Sequence, residues 1–225
     1  MAYDDVAAAV AATGMIARGG FRVDPDEEVP RAADGRPSTH VVVIGNAGGA
    51  MWPTFRNEEQ PDPEPLDAWT RARLRAVAER FGAGFVHPSD EPFQPFQRWA
   101  QRADDVWQSP IGLMIHAEYG LWHAYRGALL FADEVTGLPP TGRGAQPCLT
   151  CDGQPCLSTC PVDAFRPDAV PHGYDHVSCR EHVASDDAPD CLHEGCAARR
   201  ACPIGQAFGY GPDQMHFHMR AFVGM

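Results

Sequence analysis

All eight cysteines of this 225-residue chain lie between Cys148 and Cys202. The first four have the spacing C-x2-C-x4-C-x3-C-P, and the last four have the spacing C-x11-C-x4-C-x5-C-P. Each half therefore offers four thiols and ends on a Cys-Pro pair. In a reducing compartment, cysteines at such spacings are typical of metal sites, because disulfides are rare there. The sequence predicts two sites with four thiolate ligands each.

The Cys-Pro endings favour iron-sulfur clusters, since in bacterial ferredoxins the cysteine before proline ligates the other cluster. Applied to this chain, the rule predicts two 4Fe-4S clusters with exchanged fourth ligands. Cluster 1 is assigned to Cys148, Cys151, Cys156 and Cys202. Cluster 2 is assigned to Cys179, Cys191, Cys196 and Cys160. The first half is two residues longer than the common C-x2-C-x2-C-x3-C-P spacing, so two zinc sites of four cysteines each remain the alternative.

Charge and composition exclude several classes of function. The formal net charge is −12, which disfavours a nucleic-acid partner, because affinity for nucleic acid depends on Lys and Arg that neutralise phosphates. All 18 basic residues are Arg, so a lysine Schiff base, a lysine nucleophile and a P-loop lysine are excluded. The region after residue 144 carries ten Asp or Glu against five Arg, which predicts low cluster potentials and a low-potential electron donor as partner.

The chain shows no sign of a membrane segment or a secretory signal. No apolar run approaches the ~18 to 20 residues needed to cross a bilayer. Asp4 and Asp5 stand where a signal peptide carries positive charge. We therefore expect a cytoplasmic protein with no membrane partner, and a homodimer stays open.

The part before the cysteines mixes helix and strand patterns, which predicts an α/β domain. Strands are expected at Val41–Ile44, Phe85–Val86, Ile111–His116 and Gly127–Phe131. Helices are expected near the N-terminus, over 66–83 and over Phe96–Val106, whereas Phe21–Thr39 and most of 117–126 are expected to be irregular. Leu138–Pro147 is the best linker. The predicted domains are 1–142 and 143–225, the second ending in a C-terminal helix.

One segment of the first domain resembles a known family. His116-Ala-Glu-Tyr-Gly-Leu-Trp-His-Ala-Tyr-Arg126-Gly, followed by Leu138-Pro-Pro140, is similar to the H-P-x-F-G-G-W-F-A-I-R-G…L-P-P segment of the cobalamin-processing CblC (MMACHC-type) family. Asp67 in PEPLDAW resembles that family's D-P-x-D before a helix. The distinctive part is 111–140, and the resemblance implies a nitroreductase-like or CblC-like sheet with a cobalamin site.

The cysteine-rich tail resembles a different group of enzymes. It is similar to the bacterial ferredoxin-like module of epoxyqueuosine reductases and corrinoid-dependent reductive dehalogenases, which carry two 4Fe-4S clusters behind a cobalamin-binding core. This resemblance implies an α+β ferredoxin-like 2x4Fe-4S domain after the α/β domain.

The CblC resemblance implies three cofactor-binding residues on the corrinoid or ligand side, namely Trp122, His123 and Arg126. Arg126 matches the family's motif arginine, on the ligand or glutathione side. The residues themselves also allow a structural interpretation, in which Trp122 belongs to the core, His123 is partly buried with a partner, and Arg126 pairs with a carboxylate. His116 is expected to be structural and not a cobalt ligand. No catalytic residue is assigned.

Together these features predict an iron-sulfur oxidoreductase that delivers single electrons to a bound corrinoid. The expected reaction is reductive removal of the cobalamin upper ligand, by decyanation or dealkylation. A two-cluster electron carrier with an N-terminal docking domain is the alternative, and tRNA modification of the epoxyqueuosine kind is disfavoured by the charge. Participation of a flavin stays open.

Overall fold

The apolar run Val41–Ile44 forms the middle of strand β2 (His40–Ala47), which is buried along nearly its whole length. It pairs with β1 (Ile16–Arg22) on one side and with β6 (His123–Phe131) on the other, and β3 (Gly84–Val86) follows β6. All three pairings are antiparallel. The structure, a computed structural model, describes residues 1–59, 61–142, 144–166, 173–185 and 189–225.

The remaining elements are short helices and one small hairpin. Four helices precede the hairpin: α1 (Tyr3–Ala11), α2 (Trp52–Glu58), α3 (Pro65–Phe81) and α4 (Phe96–Ala103). The hairpin consists of the antiparallel strands β4 (Val106–Gln108) and β5 (Met114–His116). Four helices follow β6: α5 (His176–Ala184), α6 (Pro189–Glu194), α7 (Ala197–Arg200) and α8 (Pro212–Val223). Single turns of 3-10 helix cover Pro147–Thr150, Pro155–Leu157 and Gln206–Phe208.

Two compact units divide the chain. The first comprises Met1–Asp105 and His123–Arg143, and the second comprises Val106–Trp122 and Gly144–Met225. The hairpin before β6 therefore groups with the cysteine-rich tail. The sequence division into 1–142 and 143–225, like the ferredoxin-like topology of the tail, stays a prediction. Arg143, within the expected linker, lies outside the described residues.

The core of the first unit is built on alternate residues of the sheet. Val41 and Val43 share one face with Trp99 of α4, which is fully buried. This alternation follows from the two-residue period of a strand. Deleting a fully buried Trp typically costs about 3 to 5 kcal/mol, so this contact is a large contribution to the stability of the unit.

Several sequence expectations for single elements are wrong in detail. Val106 does not end a helix but begins β4, and of Ile111–His116 only the last three residues form a strand. Phe21 and Arg22 end strand β1, although Phe21–Thr39 was expected to be irregular. The four residues before Gly127 are also in a strand, because β6 begins at His123.

Two irregularities of strand register position charged side chains in the first unit. On β6 the pairing passes from Ile44↔Gly127 to Gly45↔Tyr125, so Arg126 is the extra residue of a β-bulge. On β1 the pairing shifts between Ala17 and Gly20, beside Arg18. Bulges redirect a side chain locally and are common next to functional sites.

Candidate functional site

A cavity in the second unit is lined by four cysteines from two distant parts of the sequence. They are Cys148, Cys151, Cys156 and Cys202, the four residues that the sequence assigns to cluster 1. The cavity encloses about 350 Å³ of empty space, the part open to solvent included. Leu121 and Ile204 are among the apolar residues that close it. A local loop thus meets the cysteine that follows α7.

A second cavity in the same unit is lined by the other four cysteines. They are Cys160, Cys179, Cys191 and Cys196, the residues assigned to cluster 2. Its empty space is about 310 Å³, similar to that of the first cavity. Each cavity therefore combines three thiols from one half of the tail with the Cys-Pro cysteine of the other half. This grouping is the one expected for exchanged fourth ligands.

Polar groups of the second unit donate to several of these sulfurs. The Ala164 N–H donates to Cys160 Sγ over 3.3 Å. Burial raises the pKa of Cys179, and a hydrogen bond from the Tyr174 hydroxyl partly offsets that effect. Tyr174 is stacked on Phe165, with 4.9 Å between ring centroids. Sequence reasoning missed this tyrosine, because its contact with Cys179 depends on packing and not on a recognisable spacing.

Burial raises the pKa of several thiols that line the two cavities, which favours their protonated form. Burial raises the pKa of Cys148 to about 11, and the neighbouring thiols of Cys202, Cys156 and Cys151 add to the increase. Burial likewise raises the pKa of Cys196, against N–H donation from Arg199. Metal binding by thiols releases their protons, so a positively charged group in the cavity would reverse this preference.

All eight cysteines are free thiols. Among the residues that the structure describes, no three His, Cys, Asp or Glu side chains converge closely enough to hold one metal ion. The assignment of the eight thiols to two clusters therefore stays a prediction. No helix in the described part of the chain is long and apolar enough to span a bilayer.

The candidate residue Trp122 is at the edge of the second unit and is only 3% exposed. The Arg199 guanidinium lies over its ring at 4.7 Å from the centroid, and Tyr210 contacts the ring edge-on at 5.4 Å. The indole N–H has no hydrogen-bond partner among the described residues. Trp122 is thus packed as a core aromatic, and its indole N–H is a buried donor.

The candidate residues His123 and Arg126 belong to the first unit, on β6. His123 is 8% exposed. Arg126 projects from the β-bulge, and its Nε donates to Asn46 Oδ1 over 3.1 Å. The Asn46 side chain in turn donates to the Gly48 carbonyl, so the turn after β2 fixes the amide that orients Arg126. Because Trp122 and His123 fall in different units, the three residues share only their neighbourhood in the chain.

A second polar cluster of the first unit escaped the sequence analysis. The Ser89 hydroxyl donates to Asp67 Oδ2 over 2.8 Å, and the Ser89 N–H donates to His87 Nδ1 over 3.2 Å. The neutral imidazole therefore carries its proton on Nε2, which lies 3.8 Å from Asp67 Oδ1. That separation is too long for a hydrogen bond. The cluster joins the motif carboxylate Asp67 to a buried histidine.

Several charges act on this buried histidine. Burial lowers the pKa of His87, and the charge of Asp67 opposes that shift. The charge of Arg71 lowers the pKa further, the charge of Asp90 raises it, and the charge of Arg126 has the smallest effect, which also lowers it. A possible signal was the His-Pro-Ser-Asp run after β3, but the 22 residues between Asp67 and Ser89 hide the contact from any local motif.

A wide groove of the first unit adjoins this cluster. Its empty space is about 1570 Å³, and Ser89, Asp90, Phe93 and Arg98 are among its lining residues. Phe93 is 69% exposed, which offers an aromatic face to a ligand. None of the candidate residues Trp122, His123 and Arg126 is on the lining of this groove.

Comparison with known proteins gives structural relatives only. No family model and no curated protein sequence matches the chain. A selenomethionine-labelled epoxyqueuosine reductase matches with a TM-score of 0.56 and 13% identity, over 95% of this chain and 68% of that one. An epoxyqueuosine reductase with an epoxyqueuosine-modified tRNA-Tyr stem loop matches with a TM-score of 0.52 and 14% identity, over 96% and 68%. CblC from C. elegans, a B12-trafficking protein and human MMACHC homologue, matches with a TM-score of 0.52 and 15% identity, over 98% and 95%.

At these identities the likeness concerns the fold. The chain has a mixed α/β fold with a small antiparallel sheet and helices, similar to the folds of CblC and epoxyqueuosine reductase. The expected CblC-like sheet is therefore confirmed at this level. Ligands and reactions of these relatives come to this chain only as proposals.

Proposed function

We propose that this chain is an iron-sulfur oxidoreductase that passes single electrons from two 4Fe-4S clusters to a bound corrinoid and so drives removal of the corrinoid's upper ligand. The observation that carries the proposal is the pair of cavities lined by four thiols each. The clusters would supply one-electron transfer, and the corrinoid would supply the cobalt that accepts the electron. The chain's own part is to hold, orient and shield these groups.

The second unit fits two clusters by its distribution of thiols and donors. Three thiols of each cavity are close in the sequence, and the fourth comes from the other half. N–H and hydroxyl donors aimed at the sulfurs favour thiolate ligands and raise the reduction potential of a bound cluster. The donor set includes the N–H of Ala164 and the hydroxyl of Tyr174.

The corrinoid part of the proposal is supported by the fold likeness and by the bulge at Arg126. The bulge directs a guanidinium that Asn46 orients, and such a fixed cation would hold an anionic upper ligand, for example cyanide, as it departs. The role of Trp122 on the corrinoid side stays a proposal, and its buried indole N–H has no hydrogen-bond partner among the described residues.

The test begins with the metal. Protein purified without oxygen should be brown and contain iron and acid-labile sulfide at about four atoms of each per cluster. A colourless protein with stoichiometric zinc would refute the iron-sulfur part. Thiol spacing alone does not separate the two metals, so metal analysis decides.

The second step adds hydroxocobalamin or cyanocobalamin to the reduced protein. We expect the absorption change to the base-off form on binding, and loss of cyanide from cyanocobalamin under reducing conditions. Arg126→Ala should slow the loss of cyanide from cyanocobalamin by about tenfold, which corresponds to the loss of one charge-assisted hydrogen bond. Arg36→Ala, which removes an arginine with exposed ion pairs to Asp34 and Asp133, is the matched control.

A two-cluster electron carrier is the second candidate, and it is favoured by the location of all eight thiols within one compact unit. It predicts intact clusters, no spectral response to either cobalamin and fast reduction of an outer-sphere oxidant. Epoxyqueuosine-type tRNA modification is opposed by the net charge of −12 and the absence of Lys. Binding of a tRNA anticodon stem loop at physiological salt would support tRNA modification instead.

A further inference from the structure

Two glycines allow residues 119–122, which follow the β4–β5 hairpin, to contact the loop that carries Cys202. A Cβ on Gly120 would lie 1.9 Å from the Ile204 carbonyl oxygen, and one on Gly205 would lie 2.3 Å from the Tyr119 carbonyl carbon. Both glycines have positive φ, +57° and +72°, which disfavours other residues. The two backbones are therefore in direct contact, three residues beyond a thiol of the first cavity.

The side chain of Arg199 binds the same segment at Leu121. Its Nε and one terminal nitrogen donate to the Leu121 carbonyl over 3.0 and 2.6 Å. The same guanidinium lies 4.7 Å from the centroid of Trp122 and 4.6 Å from that of Tyr210. A planar cation with two parallel donors between two aromatic rings is a role that Lys does not reproduce.

The segment that Arg199 holds covers one cysteine cavity and not the other. Leu121 and Ile115 of the hairpin region line the first cavity, which contains Cys202. Among the residues that the structure describes, the lining of the second cavity runs from Cys160 to Met219 and includes none of the 106–122 segment. The two candidate clusters therefore differ in what separates them from solvent.

We propose that Arg199 is a positioning residue that clamps Leu121 over the first thiol group, and thereby sets the reduction potential of cluster 1 and the route by which its electron leaves. This inference rests on the proposed function. With both groups bound, the reduced cluster would give up one electron through the Cys202–Gly205 loop and the 119–122 segment, and the corrinoid would accept it. The route ends at Trp122, directly before the β6 residues that carry His123 and Arg126.

The test compares Arg199→Lys with Arg200→Lys in the two-cluster protein. Both variants keep the charge, and the ion pair of Arg200 with Glu194 at 3.1 Å lies near the surface, so changing its geometry should matter little. Each cluster's midpoint potential is measured by redox titration with electron paramagnetic resonance. Releasing Leu121 admits water, which stabilises the more negative reduced cluster. We expect the reduced-to-oxidised ratio of cluster 1 to rise about tenfold, which corresponds to about 59 mV for one electron.

A second variant, Leu121→Ala, keeps the proposal testable if Arg199→Lys does not fold. Leu121→Ala removes the covering side chain but leaves the carbonyl that Arg199 binds. It should raise the potential of cluster 1 in the same direction, while cluster 2 keeps its potential in all three variants. Unchanged potentials in both Arg199→Lys and Leu121→Ala, or a shift confined to cluster 2, would overturn the proposal.

Kinetics separate this inference from the proposed function. In Arg199→Lys, electron transfer to bound hydroxocobalamin should slow about tenfold, whereas reduction of the outer-sphere oxidant ferricyanide stays at the wild-type rate. If wild-type protein carries both clusters but leaves cobalamin unaltered, the corrinoid function fails and the potentials still decide the role of Arg199. A protein without iron refutes both.

Discussion

The two compact units treat their buried polar groups in opposite ways. In the first unit, Arg18 has only 2% of its side chain exposed and pairs with Asp104 over 2.6 Å. Asp104 also accepts a hydrogen bond from the Tyr125 hydroxyl over 2.9 Å. In the second unit, buried thiols face two cavities, and their pKa values are raised by burial. The chain itself provides the partners of Arg18 in the first unit, whereas in the second unit two groups of thiols line cavities.

This difference separates two sources of stability. A buried ion pair that is also hydrogen-bonded contributes specificity to the fold and is costly to break. A set of metal-ligating thiols contributes little until the metal binds, because the free energy of binding is then coupled to folding. We expect changes in the second unit to depend on metal content and changes in the first unit to be independent of it.

The largest expected effect comes from exchanging single ligands in the second unit. Cys160→Ser should remove the cluster held with Cys179, Cys191 and Cys196, and Cys202→Ser should remove the other one. Each variant should lose about half of its iron and several kcal/mol of metal-dependent stability. Iron analysis and electron paramagnetic resonance of the remaining cluster check the result. If Cys160→Ser instead lost cluster 1 and Cys202→Ser lost cluster 2, the exchange of fourth ligands would be contradicted.

A smaller effect is expected from Asp104→Asn in the first unit. The substitution leaves the buried Arg18 guanidinium without its counter-charge, which should lower the free energy of unfolding by about 3 to 5 kcal/mol. Urea unfolding of protein with and without iron is the measurement, and the loss should be equal in both. Asp133→Asn is the control, because its ion pair with Arg36 is exposed and should contribute less than about 1 kcal/mol. Similar losses in the two variants would mean that the buried Arg18–Asp104 pair contributes no more to the free energy of unfolding than the exposed Arg36–Asp133 pair.

The sequence was most informative where function depends on local spacing. The C-x2-C and Cys-Pro runs predicted two groups of four thiols, and the cavities contain the same groups, although the metal itself stays a prediction. Strand β2 was also predictable, because four β-branched residues in a row specify a buried strand. Strand β1 was missed, since Gly19 and Gly20 interrupt its pattern at the bulge.

Contacts between distant segments could not be predicted in the same way. The hydrogen bond from Ser89 to Asp67 and the clamp of Arg199 on Leu121 join residues far apart in the chain, and no periodicity encodes them. The grouping of β4 and β5 with the tail likewise results from packing, not from sequence order. The bulge at Arg126 depends on register, which a single strand does not reveal.

The smallest expected effect concerns a buried group of the first unit that is not fully hydrogen-bonded, the imidazole of His87. Its Nε2 has no hydrogen-bond partner in the described part of the chain, and burial lowers the pKa below the usual 6.5. As the pH falls below about 6.5, the unfolded chain takes up this proton before the folded one, so the free energy of unfolding decreases until the folded-state pKa is passed. His87→Gln should remove this part of the pH dependence, whereas the exposed His176→Gln should retain it. Urea unfolding between pH 7.5 and about 5 checks the slope, and an unchanged slope in His87→Gln would mean that Asp67 stabilises the protonated ring enough to offset burial.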